Sequence, residues 1–167
     1  MTLDASERSR LTRRGLIGSR AAVHRPPWTN ERRVRTQCSS CGDCIRACPE
    51  AILIDGPAGT PKIDFNLGAC TFCGACADVC RNGVFTEVGG TPWSLTATIG
   101  PDCLLNAGIA CRTCTDACDE DALRFDMRGG VAGQVSVKPS LCTGCGACLS
   151  TCPVKAISLS DAKAIAA

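Results

Sequence analysis
The stretch CSSCGDCIRACP, Cys38–Pro49, decides the fold of this 167-residue chain. Its four cysteines are spaced C-x2-C-x2-C-x3-C and end in Cys-Pro. The same spacing returns at Cys70, Cys73, Cys76 and Cys80, and again at Cys142, Cys145, Cys148 and Cys152, the last followed by Pro153. A further group is stretched: Cys103 is followed by seven residues and then by Cys111, Cys114 and Cys118. Together these groups use all 16 cysteines.

Three chemistries compete for such a pattern. A disulfide framework is disfavoured, because cysteines so close on a tight loop are poorly placed to bridge one another. Structural zinc takes two separated C-x2-C pairs around one tetrahedron and has no use for a third cysteine at the same spacing. A [4Fe-4S] cubane accounts for the whole run: three close thiolates wrap one cluster, and the fourth leaves to ligate another. Gly42, Gly74 and Gly146 follow the second cysteine of their groups, where the backbone must turn tightly beside a cluster.

The groups repeat. The first two are offset by 32 residues at every cysteine, and the last two by 34 at Cys114 and Cys118. Each pair brackets a hairpin signal. Ala51–Ile54 and Lys62–Phe65 flank Gly56, Pro57 and Gly59, and ALRFDMRGGVAGQVSVK carries Gly129, Gly130 and Gly133 in the same layout. The join VFTEVGGTPWSLTATIG also reads as a hairpin. We therefore expect an α+β fold of two tandem ferredoxin-like modules, of the bacterial two-cluster kind, with short hairpins and short helices. The expected divisions are a basic arm over 1–37, a first module over 38–100 and a second over 101–167. Within each module the groups exchange their last cysteine. Cys38, Cys41, Cys44 and Cys80 form one ligand set, and Cys70, Cys73, Cys76 and Cys48 the second. Cys103, Cys111, Cys114 and Cys152 form the third, and Cys142, Cys145, Cys148 and Cys118 the fourth. The alternative nests the modules, pairing the first group with the fourth and the second with the third.

Composition agrees with a metal-stapled protein. There is no Tyr, and only four Phe and two Trp. Large apolar side chains contribute about 1.5–3 kcal/mol each on burial, so the chain should fold poorly without its clusters. The insertion Leu104–Ala110 reads first as a tolerated surface loop. A sharper reading has it shield or tune one cluster, since burial helps set the potential.

The net charge of +2 conceals an asymmetry. Residues 1–37 carry nine Arg against three acids, and the remainder carries nine basic against 13 acidic residues. The arm lacks the aromatic interleaving of a nucleic-acid binder, and no apolar run approaches a membrane span of about 18 residues. Arg13-Arg14 mimic the start of an export signal. Only Gly15, Leu16, Ile17 and Gly18 follow before Ser19-Arg20, too little for an apolar region of about 7–15 residues. His24, the single histidine, reads as solvated, and Asp119, Glu120 and Asp121 read as a solvated face. No Gly-rich nucleotide fingerprint and no catalytic constellation accompanies the cysteines, so no catalytic residue is assigned.

With four cubane motifs, SRLTRRGLIGSR at Ser9–Arg20, RPPW at Arg25–Trp28, TIGPDC at Thr98–Cys103 and CRTCTDAC at Cys111–Cys118, the chain resembles the NapF family. These are ferredoxin-type accessory proteins of periplasmic nitrate reductase systems. The resemblance implies four [4Fe-4S] clusters and a cytoplasmic location. It also implies contact with the nitrate reductase catalytic subunit before export, and a role in its maturation. Arg13 and Arg14 become the partner-contact residues. A polyferredoxin relaying electrons between a donor and a redox partner is the other function such a chain would serve. Arg81 and Asp119 stand where the plain ferredoxin motif has proline.

Overall fold
The computed structural model describes residues 23–161. The fold mixes short helices with three two-stranded antiparallel sheets. In the first half, β1 (Leu53–Asp55) pairs with β2 (Pro61–Ile63), with Leu53 opposite Ile63. In the second half, β4 (Leu123–Asp126) pairs with β5 (Gln134–Val137). Both hairpins match the sequence expectation, and burial alternates along β2, β4 and β5, as a one-sided sheet requires. Pro61 and Ile63 point inward around the half-buried Lys62.

The third sheet is not the local hairpin that the join between the second and third groups also allowed. Leu95–Ile99 (β3) does not close a local hairpin with the residues before it. It pairs along its full length with β6 (Ile157–Asp161), Ile99 opposite Ile157 and Leu95 opposite Asp161. Thr96, Ala97, Ile157 and Leu159 are buried by this pairing, whereas Gly89 and Gly90 contribute only an isolated bridge between Val88 and Gly90. Apolar burial across a long-range ladder outweighs the local turn signal. The expected boundary at 100/101 thus falls just after a strand that is paired with the C-terminal strand.

The other departure lies in the basic arm. Its residues 24–37 pack against the first half. Helix α1 (Glu31–Gln37) starts at Asn30, whose side chain accepts the Arg33 N–H at 3.0 Å, and it buries Val34. Acidic Glu31 in the first turn and basic Arg35 in the last suit the helix dipole. Pro26 and Trp28 are buried. Trp28 donates its backbone N–H to the Pro92 carbonyl at 2.9 Å and its indole N–H to Gly90 at 3.0 Å, while the Thr86 N–H returns to the Trp28 carbonyl at 2.7 Å. Adjacent prolines lack N–H groups, so this segment makes a strap rather than a strand.

Arg25, only 9% exposed, anchors the strap. It donates to Glu31 at 2.6 Å, and to the Thr60 hydroxyl and the Pro61 carbonyl at 2.9 Å each. The hydrogen bond from Arg25 holds the Glu31 carboxyl below its usual pKa. His24 is half-buried with its ring edge-on to Phe65 at 5.4 Å, and burial pushes its pKa down, so it is not the solvated histidine expected. Arg13 and Arg14 lie outside the described residues.

The core is one continuous cluster. Ile52, Leu53, Ile63 and Phe65 of the first half join Leu123, Val135, Ile157 and Leu159 of the second, with Cys44, Cys76 and Cys148 among them. Cysteine side chains occupy places that large apolar residues take elsewhere.

Candidate metal centres
Each cysteine group is carried by a loop that runs into a helix of about one turn: α2 (Asp43–Arg46), α3 (Ala75–Asp78), α4 (Thr113–Asp116) and α5 (Ala147–Thr151). The glycines at the helix entries, Gly42, Gly74 and Gly146, have φ of 76°, 80° and 88°, which a side chain would strain. The residue three past the last cysteine also adopts positive φ in every group: Ala51 (52°), Gly83 (64°), Asp121 (51°) and Lys155 (51°). Three of these are not glycine, so residue type alone could not reveal them. Only their common place in the repeat marks the turn, which leads into a strand after Ala51, Asp121 and Lys155.

The four cavities around these loops each gather four thiols. Cys38, Cys41, Cys44 and Cys80 line one. Cys48 lines the next with Cys70, Cys73 and Cys76. In the second half, Cys103, Cys111, Cys114 and Cys152 share a cavity, and Cys118 shares another with Cys142, Cys145 and Cys148. The last cysteine of each group therefore sits among the thiols of its neighbour in the same half.

The donor chemistry suits a metal–sulfur core. No histidine lines these cavities, and four thiols face each one. Among the described residues, no three His, Cys, Asp or Glu side chains converge on a single ion. Burial, reinforced by neighbouring thiols, pushes the pKa up to about 11 for Cys44, Cys70 and Cys114 and to about 12 for Cys76 and Cys148. Without a cation these thiols keep their protons, and metal binding must displace them. Backbone N–H groups are already aimed at sulfur: Ser40 at Cys38 (3.4 Å), Ala97 at Cys142 (3.5 Å) and Ala156 at Cys152 (3.4 Å). Such donors favour thiolate and influence the potential of a bound cluster. Cys41 and Cys73 are exposed, so the first two sets each reach the surface.

The third set is built differently. Arg112 stands where the other groups have glycine, at φ −130° and ψ 5°. Its guanidinium lies over the Phe125 ring at 5.2 Å and 4.0 Å from Asp116. The insertion forms a 3-10 turn over Leu104–Ala107 and ends at Gly108. Leu105 is buried, and it lines the third cavity with Leu104, while Asn106–Ala110 are exposed. The insertion is therefore part surface loop and part cavity wall. Asp119, Glu120 and Asp121 are exposed.

The family model for the 4Fe-4S dicluster domain matches the chain twice, over residues 37–84 and 109–156. The ferredoxin-type protein NapF of Escherichia coli (strain K12) is 39% identical over 158 residues, covering 94% of this chain and 95% of the relative. NapF of Haemophilus influenzae is 43% identical over 140 residues, covering 83% of this chain and 80% of the relative. The ferredoxin-type protein NapG of Escherichia coli (strain K12) is 30% identical, covering 83% and 72%. Two dicluster units and 16 cysteines make this a carrier of four [4Fe-4S] clusters.

Proposed function
Since the chain belongs to the ferredoxin-type NapF family, built from two 4Fe-4S dicluster domains, we propose that it matures the catalytic subunit of a periplasmic nitrate reductase in the cytoplasm before export. The ligand sets are those that share a cavity: Cys38, Cys41, Cys44 and Cys80; Cys70, Cys73, Cys76 and Cys48; Cys103, Cys111, Cys114 and Cys152; Cys142, Cys145, Cys148 and Cys118. Bound there, the clusters supply one-electron redox chemistry.

The observation that carries the reading is exposure of the first two sets. Cys41 and Cys73 sit at the surface, where an incoming protein can approach a cluster closely enough to receive it or be reduced by it. The protein acts as an accessory factor and not as an enzyme. Arg13 and Arg14 contact the partner, and the reducing cytoplasm keeps the thiols available to iron. Among the described residues no helix is long and apolar enough to cross a membrane. A second reading, an electron-relaying polyferredoxin, is favoured by the packing of α2 on α3 and of α4 on α5 and by the Cys70 N–H bonded to the Cys145 carbonyl, which bring neighbouring sets together.

Co-purification from cytoplasm tests the first reading. The intact chain should retain the catalytic subunit, and R13A/R14A or removal of residues 1–22 should release it. The deletion stops before Arg25 and Trp28, which the fold requires. Retention by the truncated chain would remove the arm from recognition, and no retention by the intact chain would leave the relay as the function.

A further inference from the structure
The two halves meet at cysteine ligands rather than at a linker. The Cys70 N–H donates to the Cys145 carbonyl at 2.8 Å, a direct hydrogen bond between a residue of the second set and one of the fourth. Aromatic rings close the same junction. Phe72, between Cys70 and Cys73, meets Trp93 edge-on at 5.4 Å, and Trp93 meets Phe65 at 6.1 Å. The Trp93 indole N–H then donates to the Thr143 carbonyl at 2.9 Å, between Cys142 and Cys145. Phe65 lies so close to Gly146 that a Cβ there would be 2.1 Å from its ring. Glycine at this position thus serves the junction as well as the cluster loop.

Within each half the sets also touch. Helix α2, which holds Cys44 of the first set, packs against α3, which holds Cys76 of the second, and α4 with Cys114 of the third packs against α5 with Cys148 of the fourth.

We infer that the Cys70–Cys145 contact is the crossing point between the modules, so that electrons pass in the spatial order first, second, fourth, third set, and not in chain order. This rests on the ligand sets proposed above. The crossing makes and breaks no bond. Clusters held by the second and fourth sets would exchange one electron, supplied by an external one-electron reductant and passed on to an external one-electron acceptor. The first and third sets become the two ends of the path. The exposed Cys41 marks one end, and the Leu104–Leu105 wall covers the other.

Electron paramagnetic resonance of the full chain, loaded anaerobically and reduced with dithionite, tests the order. In Cys142→Ala the fourth centre is missing, and the third should lose its neighbour and give an uncoupled signal. In Cys103→Ala the third is missing, and the remaining three should all stay magnetically coupled. The opposite result, an uncoupled signal only in Cys103→Ala, would establish chain order and overturn the inference. Iron analysis separates this failure from an error in the ligand sets: Cys103→Ala/Cys152→Ala should lose no more of the roughly 16 iron atoms than Cys103→Ala alone, because both thiols line the third cavity. A second cluster's worth of iron lost in the double variant overturns the sets themselves. Phe65→Ala keeps every thiol. It should weaken the coupling between modules at unchanged iron, and unaltered coupling would rule the junction out.

Discussion

The two modules hold their thiols alike and close themselves differently. The second is sealed by β3 against β6, a regular ladder with buried Ala97, Ile157 and Leu159. In the first, the corresponding closure is the strap of Pro26, Pro27 and Trp28, held by scattered hydrogen bonds and by buried Arg25. Nearly the same cluster loops survive both arrangements, down to the positive φ at Ala51, Gly83, Asp121 and Lys155. The loops are dictated by cluster geometry, while the seal needs only to exclude water and return the chain.

The largest effect should come from removing iron. Chelation should strip backbone protection from the cluster loops of both modules, because the thiols there have no other reason to converge. The difference should then show in hydrogen exchange: amides of β3 and β6 outlast those of residues 24–30. Equal loss would mean that the ladder has no stability of its own.

Core truncations come next. Trp28→Ala should cost about 3–5 kcal/mol and Leu159→Ala about 2–5 kcal/mol, each chiefly in its own module. Denaturation followed by cluster absorbance reads both. If Trp28→Ala cost under about 1 kcal/mol, the strap would be an ornament of the first module and not its seal.

A smaller contrast lies at the helix entries. Gly146→Ala forces a side chain into positive φ and against Phe65, and should cost about 1–3 kcal/mol from the backbone alone. Arg112→Gly, at the equivalent point of the third group, loses a cation–π contact of about 0.5–1 kcal/mol. Thermal melts of the two variants should therefore be clearly ordered, with Gly146→Ala the lower.

The smallest effect is a pH dependence confined to the first module. Burial lowers the pKa of His24 from its ordinary 6.5, so the unfolded chain binds the proton more tightly. Stability from this group is complete above pH 6.5 and declines as pH falls through 6.5 toward the folded-state pKa, below which it changes no further. His24→Phe should flatten that slope, and a slope unchanged by the substitution would assign it elsewhere.

Much of the site was legible because cysteine spacing is a local code. Three thiols within seven residues must face one object, and the offset fourth must face another. The β1–β2 and β4–β5 hairpins were legible for the same reason, since their turns lie between their strands. The partner of Leu95–Ile99 was not, because β6 lies some 60 residues on and nothing local points to it. His24 and Trp28 were misread as arm residues because arginine and proline dominate their neighbourhood. Trp28 is held by the carbonyls of Gly90 and Pro92, and His24 by the Phe65 ring and by the Ile63 N–H donating to its carbonyl, partners that come together with them only in the fold.

By itself, then, the sequence determined the cofactor, the 16 thiols and the two-module plan, since each follows from spacing along a short stretch of chain. Tertiary structure alone decided which sets are neighbours across the interface. Cys70 meets Cys145 because the aromatic cluster of Phe65, Phe72 and Trp93 packs the first module against the loop before α5. Proximity of that kind is set by which surfaces bury together, and order along the chain carries no record of it.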